Sequence, residues 1–299
     1  MQTTGETFSL SPHFEPLAHR GFARDVPENT IAAFKKAAEL GIRWMEIDVH
    51  TTADGVVIIF HDHTLNRMLG VSGNVADKTW VEIQALDLPG GYKVSTLEEA
   101  LTELPDLFFN IDLKDEASAH RLPPVIARTG SVQRVRIASF TERYRATAIR
   151  LLHKLIPDQE ISSGASVAAV YGFFATALTI PALWPLVRKL SGFFLMPFDS
   201  MQVPQNYKIC GKEIAVVTPR FIQAAHRHGI TVQVWTIDDS ETMEKLFRMG
   251  VDGIVTNQVD LIQEVRKIFH NIFSVEPPET RGSFCPLRLL STSTNSPTR

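Results

Sequence analysis

Polar and apolar positions along this chain change their period in a repeating way. Trp44-Met-Glu-Ile-Asp-Val-His50 alternates strictly, which predicts a strand with Met45, Ile47 and Val49 on one face. Glu46, Asp48 and His50 then share the other face. Just before it, residues 29–40 carry Ile31, Phe34 and Ala38 on one side of a predicted helix. Asn29 or Thr30 caps that helix and Gly41 stops it. The same succession of helix, glycine and strand returns twice. Thr218-Pro219 opens a helix that ends at Gly229 ahead of a strand over Thr231–Trp235. Ser240–Met249 ends at Gly250 ahead of Asp252–Thr256. Leu107–Leu113 and Arg134–Ser139 predict further strands, and Leu97–Leu104, Ala117–Arg128 and Glu142–Leu155 predict helices. From Leu17 to Thr256 there are about eight strand candidates alternating with helices, the number that an α/β (β/α)8 TIM barrel needs. No Gly-x-Gly-x-x-Gly follows the first strand, which argues against a dinucleotide-binding sheet.

Two stretches break the alternation. From Thr51 to about Lys93, an Asp54-Gly55 hairpin signal, the apolar run Val56–Phe60 and a Gly/Ser/Asn-rich loop read as a small insertion after the second strand (about 51–93). The second stretch, Ile161–Val187, carries no charge. A membrane span needs about 20 apolar residues, so length permits one. Ser162, Ser163, Gly164, Ser166, Gly172, Pro181 and Pro185 argue against it, as does its place inside a barrel period. Two readings remain open: a segment lying on a membrane or a greasy substrate, and a buried barrel helix. The predicted barrel covers residues 13–269, and 270–299 lose all periodicity and read as a mobile tail.

Composition narrows this only a little. The 299 residues are 44% hydrophobic and 21% charged, ordinary for a globular chain with a sizeable core. The net charge of -3 gives no general pull on nucleic acid or anionic lipid, so any phosphate site must be local. Cys210 and Cys285 stand far apart and form neither a metal-ligand cluster nor a disulfide framework, which fits a reducing compartment. Met1–Pro16 lacks the basic start and apolar core of a secretion signal. The expectation is a cytoplasmic protein, with peripheral membrane contact through 161–187 left open.

The chemistry gathers on the polar strand faces. Residues two apart on a strand have Cα atoms roughly 6–7 Å apart and point the same way, so Glu46 and Asp48 can converge on one cation. A hard divalent ion, Mg²⁺ or Ca²⁺, is the natural occupant. Asn110, Asp112 and Lys114 repeat the pattern on a later strand, with Asp112 as a third acid and Lys114 beside a phosphate oxygen or balancing the acids. His19-Arg20-Gly21 ends the first strand, so an imidazole and a guanidinium stand at a glycine bend, a pairing suited to a phosphate ester. His61 follows Val56–Phe60 and supplies a second imidazole; two histidines can divide activation of a nucleophile from protonation of a leaving alkoxide. His50 and His63 are rivals, the first as a ligand and the second as a surface or supporting group. Trp235, at a strand end, would pack against an alcohol part of a substrate or plug the barrel.

His19-Arg20-Gly21, Pro27-Glu28-Asn29-Thr30, Glu46-x-Asp48, His61-Asp62-x-x-Leu65-x-Arg67, Asp112-Leu113-Lys114, Val234-Trp235-Thr236 and Asp252–Asn257 follow one another. In this order and spacing they resemble the glycerophosphodiester phosphodiesterase family across roughly Leu17–Val265. The resemblance implies a TIM barrel with an insertion after the second strand and His19 and His61 as the acid/base pair. It implies a divalent metal on Glu46, Asp48 and Asp112, with Arg20 and Lys114 on phosphate. The family usually has glutamate where this chain has Asp112, one methylene shorter, so the metal would bind through a water or differ in kind. The implied reaction is metal-assisted hydrolysis of a small glycerophosphodiester, with no nucleic acid partner, to glycerol 3-phosphate and an alcohol. Two alternatives stay open: a lysophospholipase D-type enzyme acting on lipid-bearing diesters at a membrane surface, suggested by the uncharged stretch, and a catalytically silent phosphate-binding barrel.

Overall fold

The computed structural model describes residues 14–177, 184, 186, 189, 196–209 and 212–273. Of the tail expected over 270–299, residues 270–273 close the last helix and the rest lies outside the described residues, as do 178–183, 185 and 187 of the uncharged stretch.

In chain order the elements are β1 Glu15–His19, α1 Ile31–Glu39, β2 Trp44–Thr51, β3 Val57–Ile59, α2 Asn66–Leu69, α3 Trp80–Gln84, α4 Leu97–Glu103, β4 Phe108–Leu113, α5 Glu116–Thr129, β5 Val135–Ala138, α6 Glu142–Leu155, β6 Ser162–Ser163 and α7 Val167–Ala177. They continue with β7 Ser200–Pro204, β8 Asn206–Ile209, β9 Lys212–Ala215, α8 Pro219–Arg227, β10 Thr231–Trp235, α9 Ser240–Met249, β11 Gly253–Thr256 and α10 Val259–Phe273. Parallel strands run in the order β6-β5-β4-β2-β1-β11-β10-β7. A parallel bridge between Gly164 and Ser200 joins the two ends, with Ala165 N–H donating to the Ser200 carbonyl at 2.8 Å. Eight parallel strands with helices between them form a TIM barrel.

The alternation of β2 explains its layers. Met45, Ile47 and Val49 are buried and belong to one large apolar cluster with Phe34 and Ala37 of α1, Leu97 of α4, Leu122 of α5 and Leu152 of α6. Thr30 caps α1 through its hydroxyl, and Thr96 caps α4 in a reciprocal box with Glu99. The opposite strand faces meet inside the barrel, where the packing is polar. Gln202 donates to Asn110 at 2.6 Å and to Gln233 at 2.9 Å, and Ser200 donates to Gln233 at 3.3 Å. Beside these amides the Arg136 guanidinium lies 4.7 Å from the centre of the Trp44 ring.

The segment after β2 pairs β3 antiparallel with β2, so Val56–Phe60 extends β2 rather than adding a barrel strand. It carries its own core of Ile58, Phe60, Leu65, Leu69, Val75, Ile83, Leu88 and Val94. Four strands lack a sequence signal. β6 is two residues long, β7 reads Ser-Met-Gln-Val-Pro, and β8 and β9 form a separate antiparallel hairpin after the sixth barrel strand. Short edge-closing strands and a two-stranded hairpin carry too few apolar residues to show a period.

Candidate functional site

The strand ends β1, β2, β4, β5, β7 and β10 open into one cavity of about 640 Å³. His19, Arg20, Glu46, Asp48, His61, Asp112, Lys114 and Trp235 all line it, so the structure brings these eight sequence-predicted site residues together.

His19 is the last residue of β1. Asn257 holds it, with Oδ1 of the amide 2.7 Å from Nδ1 of the ring. The amide cannot be turned round, because Asn257 Nδ2 donates to Asp238 at 2.7 Å. Nδ1 therefore carries the proton, and Nε2, 3.8 Å from Glu46 Oε2, is left to the cavity. Burial lowers the His19 pKa, against the Asn257 hydrogen bond that raises it. The ring is therefore neutral at pH 7, and Nε2 is a proton acceptor.

The chain then bends sharply. Arg20 has φ 57° and Gly21 φ 82°. A Cβ on Gly21 would stand 2.7 Å from Ala33 Cβ, so only glycine lets β1 turn this close to α1. The bend aims Arg20 at Glu28, 3.0 Å away, and at Asp48 Oδ2, 3.2 Å away. Asn29, also left-handed at φ 58°, donates to the same Asp48 oxygen at 3.0 Å.

His61 belongs to the inserted segment. Asp62 Oδ1 sits 2.7 Å from His61 Nδ1. Arg67 holds Asp62 in place, donating from Nε to Asp62 Oδ2 at 2.5 Å and from Nη2 to Glu28 at 2.7 Å. The Arg67 hydrogen bond leads in holding the Asp62 pKa down to about 2, so Asp62 is an anion that accepts the Nδ1 proton of His61. Nε2 of His61 is left to the cavity. A chain of charges thus runs His61, Asp62, Arg67, Glu28, Arg20, Asp48, and ties the insertion to the first bend.

Four groups occupy the centre. Lys114 Nζ lies 2.7 Å from Asp48 and 2.6 Å from Asp112. Burial would lower the Lys114 pKa, but Asp112 and Asp48 outweigh it and hold the ammonium charged. Burial would raise Asp48, but Lys114 and Arg20 outweigh it and keep it ionised. Burial pushes Asp112 up to about 6. Glu46 rises well above its ordinary value, first from burial and then from the neighbouring Asp48 and Asp112. Glu46 Oε2 is buried with no hydrogen-bond partner. Among the described residues no three His, Cys, Asp or Glu side chains stand as a ready metal cluster; Lys114 holds an oxygen of both Asp48 and Asp112. The donor chemistry still fits a hard cation. All three acids offer oxygen, and a bare buried carboxylate oxygen is costly without a positive partner.

The two rival histidines lie elsewhere. His50 is buried, 2.9 Å from Asp115 and 3.2 Å from the His61 carbonyl oxygen, and it does not line the cavity. His63 is exposed and outside the cavity. Trp235 lines the wall and meets Phe140 edge to face at 5.9 Å. Asn257, Glu28 and Arg67 fall inside the motifs, yet their holding roles appear only when the partners come together. The far wall has no motif. It comprises Val167, Val170, Tyr171 and Phe174 of α7 and Tyr207, Ile214 and Val216 around the β8–β9 hairpin.

Residues 19–171 and 188–261 match the family model described as the glycerophosphoryl diester phosphodiesterase family. The chain is 36% identical over 253 residues to a probable glycerophosphodiester phosphodiesterase 2 of Mycobacterium tuberculosis, covering 83% of this chain and 89% of that one. It is 31% identical to a glycerophosphodiester phosphodiesterase of Caldanaerobacter subterraneus, covering 84% and 97%. Its fold resembles that of an Oleispira antarctica phosphodiesterase solved in complex with the product sn-glycerol 3-phosphate. That match has a TM-score of 0.65 at 23% identity and covers 85% of this chain and 96% of that one. With the barrel, the cavity and these relatives in view, the chain belongs to the glycerophosphoryl diester phosphodiesterase family and is a phosphoric diester hydrolase.

Proposed function

We propose that this glycerophosphodiester phosphodiesterase uses His19 and His61 as its acid/base pair. A divalent cation, Mg²⁺ or Ca²⁺, would be held by Glu46, Asp48 and Asp112, and when bound it supplies Lewis-acid charge beside the phosphoryl oxygens. One observation carries the reading. Both imidazoles reach the same cavity with Nδ1 occupied by an oxygen, so each offers Nε2 beside the acids. His19, neutral, takes the proton of the attacking hydroxyl. His61 gives a proton to the alkoxide that leaves. Arg20 and Lys114 stay charged and face the phosphate oxygens. The glycerol 2-hydroxyl attacks first, giving a cyclic phosphate that water opens to glycerol 3-phosphate, the product held by the Oleispira enzyme. The other product is an alcohol such as choline or ethanolamine.

The test is a diester panel assayed after chelation and on adding back Mg²⁺ or Ca²⁺. Activity must vanish with chelator and return with one ion; undiminished turnover in chelator sinks the metal assignment. The silent-barrel reading predicts loss of a histidine or of the acid pair, and all are present. A second reading, hydrolysis of lipid-bearing diesters at a membrane surface, draws support from the apolar far wall of the cavity. No helix among the described residues is long and apolar enough to cross a membrane. In this reading the membrane contact, through 161–187, is peripheral. A cytoplasmic site remains part of the proposal and rests on the two lone cysteines.

A further inference from the structure

We infer that Asp238 is a positioning residue that sets which nitrogen of His19 faces the cavity without a proton, by holding the Asn257 amide in one of its two orientations. The inference rests on the reading of His19 as the base.

Each of the two rings stands at the end of a chain of three. His61 is held by Asp62 and Asp62 by Arg67; His19 is held by Asn257 and Asn257 by Asp238. The two chains differ in one chemical respect. Asp62 has two like oxygens, so turning its carboxylate round still offers the ring an acceptor. Asn257 has an oxygen at one end of its amide and an NH₂ at the other. Turned one way it accepts the Nδ1 proton of His19. Turned the other way it donates to Nδ1 and drives that proton to Nε2. The two ends are nearly the same size, so packing alone does not choose between them.

The choice is made on the far side of Asn257. Asp238 lies just past β10, and its carboxylate is an acceptor at both oxygens. Oδ2 takes the Asn257 side-chain N–H at 2.7 Å. Oδ1 takes the Asn257 backbone N–H at 2.8 Å and the Thr256 hydroxyl at 3.0 Å. That hydroxyl accepts from the Gln258 N–H at 2.9 Å, so its own proton points to Asp238. Two donors thus fix Oδ1 on the backbone and leave Oδ2 for the side-chain amide. Only the NH₂ end of Asn257 can pair with it, and the carbonyl end is left for His19 Nδ1, 2.7 Å away. The proton on one imidazole is therefore placed by a carboxylate that does not line the cavity.

Asp238→Asn keeps the size of the side chain and exchanges one oxygen for NH₂. The remaining oxygen stays with the backbone N–H, so the new NH₂ faces Asn257. Two NH₂ groups cannot pair. Asn257 turns its carbonyl to the new donor and its NH₂ to His19, and Nε2 then carries the proton. Adding Asn257→Asp to that variant reverses the change. The carboxylate accepts from the new amide on one oxygen and from His19 Nδ1 on the other.

The tautomer is read from long-range ¹⁵N–¹H spectra of full-length protein labelled at its histidines, at about pH 8, with His19→Gln assigning the signal. The proton should sit on Nδ1 in the unmodified protein, on Nε2 in Asp238→Asn, and on Nδ1 again in the double variant. With divalent cation supplied, kcat on glycerophosphocholine should fall at least about 10²-fold in Asp238→Asn, with KM within about twofold, and return to within about tenfold in the double variant. A residue that merely braces the turn would lower the melting temperature in both variants and leave the tautomer alone. An Nδ1 proton retained in Asp238→Asn overturns the proposal. A proton moved to Nε2 with kcat unchanged upholds Asp238 as the positioning residue and overturns His19 as the base.

Discussion

Arg67, behind the charged wall of the cavity, holds Asp62 at 2.5 Å and Glu28 at 2.7 Å, whereas Tyr171, which lines the apolar wall, has a phenol hydrogen bond to Tyr207 and open apolar surface. The two walls obey different physics. A proton moves only between atoms at hydrogen-bond distance, so His19 and His61 need partners that fix ring and tautomer. Apolar contact has no direction and grows with area. The charged wall is therefore built from bonds with named partners, and the apolar wall from a stripe of side chains that tolerates exchange. Substitutions on the first should change rate; substitutions on the second should change which substrate is preferred.

The largest effect should fall on the imidazoles. His19→Ala and His61→Ala should each lower kcat by about 10²–10⁴-fold with circular dichroism and thermal unfolding unchanged; full activity in either variant sinks the assignment. Gly21→Ala comes next, because it forces a left-handed backbone and a clash with Ala33. It should cost about 2–4 kcal/mol of stability, read from urea unfolding. Arg67→Ala should cost roughly tenfold in kcat by freeing Asp62, with KM nearly constant. Its two ion pairs are part-exposed, so stability should drop by under about 1 kcal/mol. A stability loss with unchanged kcat would mean that Arg67 anchors the insertion and nothing more.

The smallest effect is on pH dependence. The folded protein holds Asp112 up to about 6, above the ordinary carboxylate value of 3.8. The native state thus binds this proton more tightly than the unfolded chain. The stability it contributes is full below the ordinary value and is lost as pH rises through about 6. In chelator, the melting temperature of Asp112→Asn should fall less than that of the unmodified protein from about pH 4 to about pH 7. Parallel curves would show that Asp112 titrates as in the open chain.

The charged wall was largely legible in the sequence. His19-Arg20-Gly21, Glu46-x-Asp48 and Asp112-x-Lys114 are close-spaced because a strand puts alternate residues on one face. The long-range partners were not legible. Asn257 meets His19 from the opposite end of the chain, and nothing local in it distinguishes a ring-holding amide from a helix-entry residue. The apolar wall was half legible. The uncharged run Ile161–Val187 was visible, and part of it is the strand β6 and the helix α7. That α7 presents a second face to a cavity depends on the β8–β9 hairpin, whose residues carry no period. The eight-strand alternation was clear where helices separate the strands and failed at β6 and β7, which are too short or too polar to stand out.

The separate core of the inserted segment has one more consequence. Ile58, Phe60, Leu65 and their neighbours pack among themselves. A unit with its own core opens as a unit, at a lower free energy than the whole fold. His61 rides on that unit and His19 on the barrel, so the reacting pair spans a seam between two cooperative blocks. Amide hydrogen exchange should show the segment 57–94 opening ahead of the barrel strands, and mild denaturant should silence turnover while the barrel is still protected.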